Sequence, residues 1–149
     1  MDHPAEETHV VTTFLLRRDR GLDEILLVRR SQRVGSYRGA WAGVSGFVEP
    51  GITPLDQAYT EIREETSLVA ADLHLLRTGT TVRVDDESLG RHWVVHPFLF
   101  EVLAPDRVQT DWEAAAFQWA APSAIAELET VPKLAEALET VYPPEQRAP

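Results

Sequence analysis

From His9 to Arg17 the chain reads HVVTTFLLR, β-branched and apolar, which predicts a strand. Gly21-Leu22-Asp23 predicts a turn, and Glu24 to Arg30 (EILLVRR) a second strand in a hairpin with the first. Ser31 to Gly39 is polar and glycine-punctuated, hence a loop, and Ala40 to Val48 reads as a short strand among small residues. Helix signals follow: Thr53 as N-cap, Pro54 at the first helical position, then a periodic stretch to about Thr66. Leu73–Thr78 and Thr81–Val84 suggest a strand pair around Gly79, and residues 85–90 a loop. The longest apolar stretch, Arg91 to Leu103, predicts a central strand, in which Pro97 requires an edge or a bulge. Pro105–Asp111 reads as a loop, Phe117–Ala120 as a short strand, and Pro122–Leu128 and Val131–Val141 as helices. Strands mixed with one mid-chain and one C-terminal helix imply an α/β fold, an α/β/α sandwich around a mixed β-sheet.

Length adds that the 149 residues suit one domain: residues 1–8 read as a loose tail and 9–149 as a single domain. No apolar run approaches the roughly 20 residues of a membrane span, and the acidic start lacks a secretory core. No cysteine is present, so disulfides and thiolate metal sites are excluded and a cytoplasmic location is the expectation. A net charge of −10 argues against a nucleic-acid binder, whose phosphate contacts need a basic face. It does not exclude a small phosphorylated substrate, because a bound cation reverses the potential of one cleft.

The chemistry concentrates between Gly46 and Leu68, GFVEPGITPLDQAYTEIREETSL. Each helical residue turns about 100°, so with Glu61 at zero Glu64 falls at about −60° and Glu65 at about +40°. Leu55, Ala58, Tyr59, Ile62 and Thr66 occupy the adjoining arc, a core stripe beside a stripe of negative charge. Like charges three and four apart repel, and no lysine shares their stripe. A hard divalent cation, Mg²⁺ or Mn²⁺, would relieve that repulsion; a solvated acidic face is the alternative. Gly46 and Gly51 bracket Glu49 in a loop that can bring backbone groups close to a ligand.

These residues resemble the Nudix box, G-x5-E-x7-R-E-U-x-E-E-x-G-U with U bulky and aliphatic. Gly46, Glu61, Ile62, Glu64, Glu65 and Leu68 match it without insertion, and Glu49 and Gly51 match residues frequent within it. Arg29-Arg30 and Gly39-Ala40-Trp41 fit the upstream context, and Glu113 with Phe117-Gln118-Trp119 the downstream one, so the likeness spans roughly residues 9–140. Three positions depart: Ile52 replaces the first glutamate, Thr60 the arginine and Ser67 the second glycine. Losing glutamate and arginine together leaves no orphaned charge. Ser67 puts in question a left-handed helix cap.

The resemblance implies a Nudix-type α/β/α sandwich and a Mg²⁺-dependent hydrolase, with Mn²⁺ the alternative ion. The substrate would be a nucleoside diphosphate derivative or a nucleoside triphosphate, cut at a diphosphate bond. Glu61, Glu64, Glu65 and the Ser45 carbonyl would hold metal. Glu64, Glu61 or, from the later acidic loop, Glu113 would deprotonate the attacking water. Arg30 and Arg38, from a crowd that includes Arg29 and Arg33, would hold phosphates, since guanidinium suits bidentate oxyanion contact. Trp41, with Tyr37 and Trp93, would stack on a base, core packing being the alternative for both tryptophans. His9, His92 and His96 lack metal spacing and read as strand residues. A nucleotide-type small molecule is the expected partner, with no nucleic acid and no membrane, and a homodimer accords with the family. The competing reading, favoured by Ile52 and Thr60, is a catalytically weak module that binds a nucleotide as a sensor.

Overall fold

The run HVVTTFLLR lies within β1 (Glu7–Asp19), the spine of a mixed eight-stranded sheet. The computed structural model describes residues 7–32, 34, 36–110 and 114–143. The expected tail therefore loses Glu7 and Thr8 to β1, where they pair with His92 and Trp93. One edge of β1 is shared: Leu16–Asp19 pair antiparallel with β2 (Leu22–Arg30), and Val10–Thr13 antiparallel with β4 (Val44–Phe47). The other edge runs parallel to β7 (Arg91–Val102). The register Asp19↔Leu22 puts the turn one residue earlier than expected, at Arg20-Gly21. Both have positive φ, 53° and 79°, the type I′ pattern whose twist matches a hairpin.

The single strand expected over 40–48 is two, β3 (Trp41–Ala42) and β4, broken at Gly43. A Cβ on Gly43 would sit 2.7 Å from the Thr13 carbonyl oxygen, so the chain passes there only as glycine. β5 (Leu73–Thr78) and β6 (Val82–Asp86) do not pair with each other as expected; both lie antiparallel along β7, one against each half. Asp85 and Asp86 belong to β6 rather than to a loop. Pro97 lies mid-strand opposite the break between β5 and β6, where its carbonyl accepts from Gly79 N (2.9 Å). Its missing N–H faces the same break, so no ladder bond is lost. β8 (Ala114–Ala120) pairs antiparallel with β2.

Period-two alternation divides the strands between two cores. Val11, Leu15, Leu26, Phe98 and Phe100 pack under α1 (Pro54–Thr66). Phe14, Leu16, Ile25, Leu27 and Leu99 pack under α2 (Leu134–Val141). One helix on each face makes the α/β/α sandwich. The stretch expected as a helix from Pro122 is a 3-10 segment, Pro122–Glu127, with Ile125 its one buried residue. A single anchor gives an α-helix no stripe to pack. α2 starts after Lys133, later than expected. Among the described residues no helix is long and apolar enough to cross a membrane.

Candidate active site

Glu49-Pro50-Gly51-Ile52 carries the sequence of a type II turn: proline second, glycine third with φ 80°, and Ile52 N donating to Glu49 O (3.1 Å). The next residue, Thr53, caps α1 by accepting from Asp56 N (3.2 Å), and Pro54 begins the helix. At the far end Ser67 does take the left-handed cap, φ 66° and ψ 4°, with its N–H on Arg63 O (3.0 Å). Thr66 Oγ1 donates to Ile62 O (2.6 Å) and accepts from Leu68 N (3.3 Å), tightening the same end. The absent glycine thus costs local strain but not the cap.

A cleft of about 460 Å³ runs from this helix past β4 to β6, β7 and the start of α2. Glu61 and Glu64 line it together with Glu49. Glu61 is half-buried because its carboxylate lies against Gly46: a Cβ there would meet Glu61 Cδ at 2.1 Å. Its Oε1 also accepts from Gln57 Nε2 (2.9 Å). The third carboxylate, Glu65, is placed differently from the other two. Glu65 does not line the cleft, and its Oε2 is buried, in keeping with its position nearest the core stripe. Among the described residues no three acidic or imidazole side chains converge on one point.

The other expected site residues separate. Ser45 lines the cleft, its Oγ 3.3 Å from Thr12 Oγ1 on the paired strand. Arg30 lines it too, held by its Nε donating to Ser36 O (2.8 Å). Arg38 does not; it is exposed and its Nε donates to Val34 O (2.8 Å). Trp41 packs against the core under α2 instead of facing the cleft. Arg29 likewise spends its Nε on a loop carbonyl, Gly39 O (3.1 Å). Arg33 and Glu113 lie outside the described residues. Tyr37 and Trp93 do line the cleft, ring centroids 6.5 Å apart. Tyr37 Oη donates to Asp86 Oδ2 (2.5 Å), and burial together with that carboxylate pushes the phenol up to about 12. His9 and His96 stack on each other, and His92 pairs with Asp85, so the histidines are strand residues as expected.

Two contributors escaped the sequence reading. Gln57 was legible only as a helix residue four before Glu61. Lys133, which lines the cleft and donates from Nζ to Arg83 O (2.9 Å), falls inside the helix that the sequence pattern predicts from Val131 and just before the one that forms.

The cleft thus has a carboxylate-bearing helix at one end, on a sandwich with one helix on each face of a mixed sheet. Residues 7–141 match the model of the NUDIX domain, and the chain belongs to that family. By class it is a Nudix-type pyrophosphohydrolase, of a family acting on diphosphate bonds of nucleoside diphosphate derivatives and generally using divalent metal ions. The fold is similar to a C. elegans Ap4A hydrolase in a binary complex, at 20% identity over 89% of this chain and 93% of that one, TM-score 0.75. It is similar to the MutT protein of Methanosarcina mazei Go1, at 21% identity over 93% and 94%, TM-score 0.76. It is also similar to the NUDIX domain of Shewanella oneidensis NrtR complexed with ADP ribose, at 15% identity over 91% and 86%, TM-score 0.68. No curated protein matches the chain.

The residues present fit a divalent ion. The donors facing the cleft are all oxygens, and Gly46 leaves a cradle that Glu61 fills and a Cβ would block. Two cleft carboxylates are enough for a hard divalent ion, a class that is commonly bound through one or two carboxylates together with substrate phosphates.

Proposed function

We propose that the chain hydrolyses a diphosphate bond in a nucleoside diphosphate derivative or nucleoside triphosphate, using Mg²⁺ held by Glu61 and Glu64 with the Ser45 carbonyl. The observation that carries this reading is that Glu61 and Glu64 open into the same cleft as Arg30, Tyr37 and Trp93. When held by those residues, the ion would supply charge neutralisation at the diphosphate and a more acidic attacking water. The chain's own groups divide the remaining work. Glu64, exposed at the cleft, takes the proton as the water oxygen bonds to phosphorus and the bridging P–O bond breaks. The leaving phosphate departs with the bond's electron pair. Glu113 is the second candidate for that proton. Arg30 places a cation beside the phosphates, and the aromatic pair offers a face to the base.

Ile52 and Thr60 favour a second reading, a nucleotide sensor on the same scaffold. Incubation with a nucleotide panel and Mg²⁺, followed by phosphate or pyrophosphate release, separates the two. The hydrolase reading expects turnover in wild type. Glu64→Gln should lower it by more than the roughly 10–100-fold that loss of an outer-sphere partner costs. Tight nucleotide binding with no turnover across the panel supports the sensor.

A further inference from the structure

Gln57 is 1% exposed, yet it is an amide on a helix face otherwise buried through Ala58, Ile62 and Thr66. Burying an amide costs free energy unless both of its polar ends are met. Here both are. Oε1 accepts from Glu49 N (3.1 Å) in the turn before α1, and Nε2 donates to Glu61 Oε1 (2.9 Å) one helical turn later. One side chain therefore ties the turn, the helix and a cleft carboxylate to each other. The two positions where the box carries its charged pair offer nothing comparable in this chain: Ile52 is 41% exposed and apolar, and Thr60 carries no charge.

We propose that Gln57 is a positioning residue: its neutral amide holds the Glu61 carboxylate over Gly46 in the orientation that binds the divalent ion. This rests on the metal-dependent reading of the site given above. Gln57 reaches no substrate; it acts through Glu61. Fixing Glu61 by hydrogen bond spares the ion the entropy of ordering a three-torsion side chain, so divalent affinity is where the effect should appear.

The test is Mn²⁺ binding to the protein without nucleotide, read from the electron paramagnetic resonance signal of free Mn²⁺, alongside thermal melting. Gln57→Met keeps an unbranched chain and removes both hydrogen bonds. It should melt cooperatively and bind Mn²⁺ about tenfold more weakly, the lower end of the range for such partners. Mn²⁺ affinity within twofold of wild type in the folded variant overturns the proposal. If Gln57→Met fails to fold, Gln57→Asn keeps an amide but falls one methylene short of Glu61, and the same two outcomes apply. A general structural role is separated by adding Gln57→Met to Glu61→Gln. Acting through Glu61, it should then change Mn²⁺ affinity by less than twofold; a further tenfold loss contradicts that role. Absence of Mn²⁺ binding in wild type would instead count against the metal-dependent reading itself.

Discussion

Gly46 carries no side chain, and Glu61 uses the space. Gly46→Ala would drive a methyl group to within 2.1–2.5 Å of the Glu61 carboxylate atoms. That carboxylate ends a flexible chain and can swing away, so stability should fall by no more than about 1–3 kcal/mol, the usual cost of overpacking. Divalent binding and turnover should fall with it, and a Gly46→Ala protein that binds Mn²⁺ normally would show that Glu61 need not occupy this place. Ser67 pays the opposite kind of cost, holding φ 66° with a Cβ. Ser67→Gly should stabilise the protein by about 0.5–1 kcal/mol in urea unfolding, because the left-handed region disfavours side chains. His96 adds a pH dependence. Its pKa is lowered by burial and by His9, whose Nδ1 lies 2.9 Å from its Nε2. The folded state thus favours the neutral ring. Its contribution is full above the unfolded value of about 6.5 and is lost as pH falls through the lower folded value. Urea midpoints should drop as pH falls below about 6.5, and His96→Gln should flatten that drop.

At the scale of elements, α1 was legible almost to the residue because every local signal agreed: turn, cap, proline and apolar stripe all start it within a few positions of Thr53. Its hidden residue was Gln57, since an amide reads as a solvent position until the groups across from both its ends are known. The strand pair around Gly79 failed for a related reason. β5 and β6 each carry a strand pattern, but β7 takes both, and that choice rests on a partner distant in sequence. Arg38 donates to a loop carbonyl and Trp41 packs on the core under α2, and composition near a cleft says nothing about which carbonyl or core captures a side chain. Ile62, fully buried on the α1 stripe, anchors the carboxylate helix to the sheet. Ile62→Ala should cost about 2–5 kcal/mol and lower the melting temperature accordingly.

Across the whole molecule, the two helices take opposite faces of one sheet while the cleft draws on three parts of that construction: the loop into α1, the middle of β1 through Thr12, and the start of α2. A chain of net charge −10 presents Arg30 and Lys133 to the same cleft as Glu61 and Glu64. Such a cleft can admit a phosphate chain once a divalent ion sits on its acidic end. The decisive measurement is a crystal structure of the protein soaked with Mn²⁺ and a non-hydrolysable nucleotide diphosphate analogue. Anomalous density should lie within bonding distance of the Glu61 and Glu64 carboxylates and of the diphosphate, with the base toward Trp93. A nucleotide seated in the cleft with no metal beside Glu61 or Glu64, or metal bound only elsewhere, would contradict it.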